Sequence, residues 1–242
     1  MSAADSATAV TFGGEYIKFR YNPASPVKEQ DISTGSQDRG ITVLADSIKT
    51  AKNGFVVYLN NLLYFSYLSP GIHLEALGTP ATSEYNMFWN YFKNSPIYDA
   101  PTKTINILQA GSFYTIFAPK NSAIKQAIID GVLPGTVSGS TVTPNYNPGT
   151  AAERTKVENF LRYHILDKYS IIGDGKNDTN KGLPTFMKNA NGDPYTIKVQ
   201  SVNNALKLTD QTGRTANSVL SQSNQLSNRV IIHLLDNYLK FQ

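Results

Sequence analysis

Chemistry in this chain could begin at its three histidines, His73, His164 and His233, and at the acidic residues near them. A zinc site needs three or four side chains that converge on one point. His233 and Asp236 are three apart in a run that reads as a strand, so they face opposite ways and cannot share an ion with His164. No G-x-S-x-G elbow occurs, and His164 has no nucleophile close to it in sequence, so a Ser-His-Asp hydrolase finds no support. Asp174-Gly175-Lys176-Asn177-Asp178-Thr179-Asn180 invites a calcium reading. It fails as an EF-hand loop, because Lys176 takes a ligand position and no Glu closes it. A plain polar loop is expected, and Asn177-Asp178-Thr179 doubles as an N-glycosylation acceptor in a eukaryotic setting. No catalytic residue, metal or cofactor is expected.

What remains is binding. His164 lies on the apolar stripe of a helix, where it reads as a buried imidazole with one structural partner; a place on a binding surface is the competing reading. His233 alternates with Ile232 and Leu234 and faces away from them, in a structural or half-exposed role. His73 follows a Pro-Gly turn and reads as solvated. Asn145, Tyr146 and Asn147 set one aromatic ring between two amides within the Gly-, Ser-, Thr- and Pro-rich stretch 134–149. That combination suits stacking on a sugar ring and hydrogen bonding to its hydroxyls. An idle surface loop is the alternative.

These residues need elements to hold them. Thr115-Ile116-Phe117 is a β-forming run that stops at Pro119, and Asn121 or Ser122 can cap the helix carrying Ala123, Ile124, Ala127 and Ile128, with Gly131 as its stop. Ser83 can cap a helix with Tyr85, Phe88, Trp89 and Phe92 at i, i+3, i+4 and i+7. Thr150 and Glu153 have capping-box spacing, and the helix behind them presents Val157, Phe160, Leu161, His164 and Ile165 on one face. Burial of Phe160 or Leu161 is worth roughly 1.5–3 kcal/mol each. Tyr195 to Val199 alternates with period two, and the last strand covers Arg229 to Leu239. In the first part, Tyr16–Tyr21 and Ile41–Ile48 have strand character. Asn53-Gly54 is a hairpin signal leading into Phe55 to Leu63, apolar on both faces. Residues 1–10 are expected to fray, 22–40 and 173–182 to be loops, and Ser69-Pro70-Gly71 to mark a boundary.

Composition narrows the partners. The chain has 242 residues, no cysteine, and a net charge of +4 spread without a Lys/Arg block, so nucleic acid is a poor partner. No apolar run approaches a membrane span, and no secretory h-region follows Met1. The expectation is a cytosolic protein, or an exported one whose leader has been removed. Low charge with abundant Asn, Ser, Thr and Tyr favours the second.

Two stretches echo two others. Gly13-Gly14-Glu15-Tyr16-Ile17-Lys18-Phe19 resembles Gly192-Asp193-Pro194-Tyr195-Thr196-Ile197-Lys198-Val199. Val56 to Leu63 resembles Ile232 to Leu239. The first copy has no counterpart of Phe113–Ile124 or of the helix over 150–166.

Three signals in order, Tyr114-Thr115-Ile116-Phe117-Ala118-Pro119, Tyr163-His164, and Ile232 to Leu239, make the chain resemble the fasciclin (FAS1) domain family over roughly 72–241. There are departures. Arg229-Val230 stands where Asn-Gly is usual, Ile124 replaces the common Phe, and in the first copy Val57 and Asn60 hold the family's His and Asp positions. The resemblance implies an α+β fold, a FAS1-type β-wedge or sandwich of two sheets flanked by helices. It implies a closing half-module over 1–69 and a complete module over 70–242. It also implies a non-catalytic, extracellular or cell-surface adhesion protein that binds polysaccharide or a surface protein, with Tyr163 and His164 as contact residues. A bacterial outer surface, with membrane anchoring through a missing N-terminal segment, is one arrangement it allows. The alternative is an accessory glycan-binding component of a bacterial polysaccharide-uptake system.

Overall fold

The computed structural model describes residues 6–10, 16–20, 31–33, 41, 43–64, 66–172, 178–202 and 205–242. Gly173 to Asn177 of the stretch expected as a polar loop lie outside the described residues. The chain divides into two compact units, Met1–Leu68 with Leu226–Arg229, and Ser69–Gln225 with Val230–Gln242.

The first unit is an antiparallel meander of β1 (Ser6–Val10), β2 (Tyr16–Arg20), β3 (Asp31–Ser33), β4 (Val43–Ala51) and β5 (Gly54–Leu59), neighbours in that order. Strands therefore stand at 6–10, within the stretch expected to fray, and at 31–33, within the loop expected over 22–40. Short strands of small residues carry little propensity of their own, and their ladder partners supply what they lack. Ala51 opposes Gly54, so the hairpin turn is Lys52-Asn53 and Gly54 already belongs to the strand. Within this unit Asn228 N–H donates to the Leu68 carbonyl at 3.0 Å, and Ser66 Oγ to the Leu226 carbonyl at 3.4 Å.

The second unit runs α1 (Pro70–Gly78), α2 (Asn86–Lys93), β6 (Tyr98–Asp99), β7 (Thr104–Ile105), β8 (Tyr114–Pro119), α3 (Asn121–Ile129), β9 (Gly135–Ser138), β10 (Thr141–Pro144), α4 (Ala151–Tyr163) and β11 (Ile165–Leu166). It continues through β12 (Asp178–Lys188), β13 (Pro194–Val202), β14 (Ala205–Thr209), β15 (Thr215–Asn217) and a 3-10 turn at Leu220–Gln222; after β16 (Gln225–Ser227), most of which belongs to the first unit, it ends with β17 (Val230–Leu235). Within this unit the main sheet has the order β15-β14-β13-β12-β11-β8-β17, with β8 and β17 parallel. Ser218 pairs with Leu235, which brings the β15 end of the ladder back to β17. The class is α+β, a curled multi-stranded sheet flanked by helices.

Period-two alternation in β8 divides the interior. Tyr114, Ile116 and Ala118 meet Phe88, Phe92, Ile124, Phe160 and Leu161 from the helices, while Phe117 joins Ile197, Val199, Leu206 and Leu208 inside the curl. Ile232 and Leu234 of β17 lie on the helix side and Leu235 on the other.

Several local readings change. Ser69-Pro70-Gly71, expected as a boundary, does open the second unit, and it also starts α1: Ser69 Oγ accepts the Ile72 N–H at 3.3 Å, and Pro70 occupies the first helical turn, where a missing N–H costs nothing. A Cβ on Gly71 would stand 2.2 Å from the Lys103 carbonyl oxygen, so the close approach demands glycine. His73 consequently sits half-buried on a helix instead of in a solvated turn. Ser83 lies one turn ahead of α2, its hydroxyl donating to the Leu77 carbonyl at 2.6 Å and accepting the Tyr85 N–H at 3.2 Å. Asn121, expected to cap its own helix, is the first residue of α3 and caps α2 instead. Its Oδ1 accepts the Met87 N–H at 2.9 Å and its amide donates to the Ser83 carbonyl at 2.8 Å. The stretch 134–149 is no plain loop. Thr136-Val137-Ser138 pairs with Thr141-Val142-Thr143 around Gly139 at φ 57°, a β-branched hairpin that Gly/Pro density disguises. Residues 178–182, also expected in a loop, open β12.

Candidate functional site

Tyr163 and His164 close α4, and both are fully buried. The Thr150 cap holds as expected at the helix start: its Oγ1 accepts the Glu153 N–H at 3.3 Å and donates to the Glu153 carboxylate at 2.7 Å. At the far end His164 Nδ1 donates to the Phe160 carbonyl at 2.7 Å, and Nε2 accepts the Leu239 N–H at 3.1 Å. Both ring nitrogens are therefore used by the fold, and the neutral ring lies 4.2 Å from that of Phe160. Burial pushes its pKa down to about 4. The Tyr163 hydroxyl donates to the Thr196 carbonyl and accepts the Gln211 N–H, each at 3.2 Å, and burial raises its pKa. Neither side chain offers an exposed atom to a partner. They tie α4 to β13 and to the C-terminal stretch.

His233 is likewise fully buried and not half-exposed. Its Nε2 donates to the Ile171 carbonyl at 2.8 Å, and Nδ1 lies 3.4 Å from the Asn224 N–H. Asp236 binds the Asn217 N–H at 2.7 Å and its amide at 3.0 Å. His164, His233 and Asp236 thus serve separate backbone contacts. Among the described residues no three His, Cys, Asp or Glu side chains stand together as a metal site would need.

Asn145 and Asn147 are exposed and flank a half-buried Tyr146. The Tyr146 ring meets that of Tyr91 of α2 in a T-shaped contact at 4.8 Å, so it packs against the protein. The Tyr91 hydroxyl donates to the Pro134 carbonyl, and Asn145 N–H closes the hairpin on the same oxygen at 3.1 Å. Next to this, Arg154 Nη1 donates to the Pro148 and Gly149 carbonyls at 3.2 and 2.7 Å.

Arg154 also lines an open groove of about 550 Å³ between the end of α2 and the start of α4, together with Lys93, Asn94, Pro96, Thr155 and Glu158. Glu158 is held from the side by Arg162 at 2.7 Å. The groove is lined by two cations, an amide, two hydroxyl residues and a carboxylate, with the exposed Pro96 beside them. Its side chains can both donate and accept hydrogen bonds. Sequence reasoning named none of the residues that line it. Lys93, Asn94 and Arg154 meet because a helix end and a helix start far apart in the chain are packed together. No local spacing announces that.

The Fasciclin domain family model matches residues 97–241. The chain belongs to the fasciclin-domain family. Fasciclin domains are in general non-enzymatic adhesion modules, typically extracellular or at the cell surface. Among solved structures, a FAS1 domain pair from the insect cell adhesion molecule fasciclin I is similar over 99% of this chain and 72% of that chain, with 14% identity and a TM-score of 0.46. Curated protein sequences give no match. No helix among the described residues is long and apolar enough to cross a membrane.

Proposed function

We propose that this fasciclin-domain protein works at the cell surface as a non-catalytic adhesion and binding module, and that it contacts polysaccharide through the groove between α2 and α4. The observation that carries the reading is the groove itself: about 550 Å³, open, and lined by Lys93, Asn94, Arg154, Thr155 and Glu158. Amides, hydroxyls and charged groups in alternation match the donors and acceptors of sugar hydroxyls, and the cations favour a carboxylated or sulfated glycan. Asn145 and Asn147 are exposed on the neighbouring hairpin, and Tyr146 packs that hairpin on Tyr91. Tyr163 and His164 act behind it by holding α4 in place.

A glycan array followed by calorimetry tests this. An acidic polysaccharide is expected to bind. Asn94→Ala is expected to lower affinity severalfold, and Lys93→Ala by roughly tenfold or more, the worth of a hydrogen bond to a charged group. Both sites are exposed, so thermal unfolding should barely move. No glycan bound, or wild-type affinity in both variants, would remove polysaccharide from the reading.

A further inference from the structure

The strands of the first unit repeat the last strands of the second, register for register. Lys18, Phe19 and Arg20 of β2 oppose Ser33, Ile32 and Asp31 of β3; Lys198, Val199 and Gln200 of β13 oppose Thr209, Leu208 and Lys207 of β14. Ile32 and Asp31 then oppose Val43 and Leu44, as Leu208 and Lys207 oppose Ala216 and Asn217. Ala45 pairs with Leu59, as Ser218 pairs with Leu235. One residue on, both copies close with the same two-bond clasp. Asn60 N–H donates to the Leu44 carbonyl at 3.0 Å while its Oδ1 accepts the Leu44 N–H at 2.8 Å. Asp236 N–H donates to the Asn217 carbonyl at 2.9 Å while its Oδ1 accepts the Asn217 N–H at 2.7 Å.

The far side of the closing strand differs. β17 pairs along its length with β8, from Val230 opposite Tyr114 to Leu235 opposite Pro119, and the Leu235 carbonyl accepts the Lys120 N–H at 2.9 Å. β5, by contrast, ends its sheet among the described residues. Because Asn60 N–H points at β4 and strand groups alternate, Phe55, Val57 and Leu59 direct their N–H and C=O outward. These are the positions of Ile231, His233 and Leu235, the residues that face β8. β5 carries no charge and no proline, the usual protection of a free edge, and Phe55 is 73% and Tyr58 48% exposed. β1 ends the other side of the sheet, where its counterpart β12 has β11. In the second unit it is β8 and β11, paired with each other, that bridge β17 to β12.

We propose that the first unit is the closing half of a second fasciclin module and that its β5 edge is a docking site for an opening half. The occupant is a strand with the chemistry of β8, Tyr-Thr-x-Phe-Ala-Pro, running parallel to β5 and leading into a helix like α3. Its register follows from the second unit: the Tyr opposite Gly54, the Phe opposite Val57, the Pro opposite Leu59. The N–H after that Pro donates to the Leu59 carbonyl. The helix then covers the face of β5 that bears Val56 and Tyr58, as α3 and its neighbours cover Ile232 and Leu234.

Amide hydrogen exchange on the full chain tests the proposal with two probes. One is a synthetic peptide of residues 113–131 added in excess. The other is a fusion carrying a copy of residues 69–167 ahead of Met1. Exchange at Phe55, Val57 and Leu59 is expected to slow by roughly a hundredfold or more in at least one of them, towards the rates of Ile231, His233 and Leu235. Val57→Pro, which removes an outward N–H, is expected to abolish the slowing while the second unit keeps its protection. Unchanged exchange with both probes would overturn the proposal. So would a chain already dimeric by light scattering with these amides protected before any probe is added, which would point to pairing of β5 with a second β5.

Discussion

β5 and β17 have nearly the same apolar pattern and end in the same clasp, yet every residue of β17 is buried while β5 is exposed along almost its whole length. Sequence pattern alone does not separate them. The difference lies in what stands beside each strand: β8, four helices and a curled sheet around β17, and for β5, among the described residues, β4 alone as a strand partner. An apolar strand records the burial for which its residue types are suited. It does not supply the partner that provides it.

That contrast is most easily broken by a charge. Ile232→Asp places an unpaired carboxylate in the helix-side core, and Val56→Asp places one at the matching position of β5, which is 48% exposed. The first is expected to cost more than about 4 kcal/mol and to unfold the second unit, the second to stay within ~0.5 kcal/mol. Alanine gives the milder version, about 2–5 kcal/mol at Ile232 and a few tenths at Val56. Denaturant titration followed by residue-resolved exchange separates the units. Comparable losses at both positions would mean that β5 is already covered.

Acid should separate the units next. All three histidines lie outside residues 1–68, and buried His164 has its pKa lowered from 6.5 to about 4. The unfolded chain therefore binds a proton between those values that the folded one refuses. The stabilisation is complete above about pH 6.5, declines as pH falls towards 4, and from this group falls no further below that. The loss amounts to roughly 3 kcal/mol in the second unit. In the first unit no histidine can contribute one. His164→Gln should flatten the second unit's profile between pH 4 and 6.5, checked by chemical unfolding at fixed ionic strength. A profile that stays as steep in that variant would assign the dependence to other groups.

Much of the second unit was legible because local signals and packing agree there. Pro119 ends β8, Thr150 and Glu153 cap α4, and the 157–165 stripe is buried as its spacing predicts. Local signals failed where a residue serves a distant element. Asn121 looks like a cap for its own helix and binds the start of α2, because the β8–α3 turn sets its side chain against residues 83–87. The 134–149 hairpin was hidden by glycine and proline, whose loop signal outweighs the alternating Thr and Val between them. The candidate groove was illegible for a third reason: its walls come from two helices whose contact is purely tertiary. The repeat, by contrast, was visible as a faint echo of residue types and became definite only in the ladder registers, where Ile32 and Leu208, or Asn60 and Asp236, take identical places.

The smallest expected effect probes where β5 and β17 agree. Asn60 and Asp236 each use a side-chain oxygen to hold the N–H of the neighbouring strand, at 2.8 and 2.7 Å, in exposed surroundings. Removing one such bond costs about 1 kcal/mol, and Asp236 carries a second bond to the Asn217 amide at 3.0 Å, so its loss should be slightly larger. Asn60→Ala is therefore expected to speed exchange in the first unit, and Asp236→Ala in the second, by similar factors. Asn60→Asp and Asp236→Asn should restore most of it, since either residue type presents the one oxygen that the clasp requires. If Asn60→Ala changes nothing while Asp236→Ala costs its expected amount, the clasp in the first unit is not holding β4 to β5. The two strands would then share residue types without sharing a module plan.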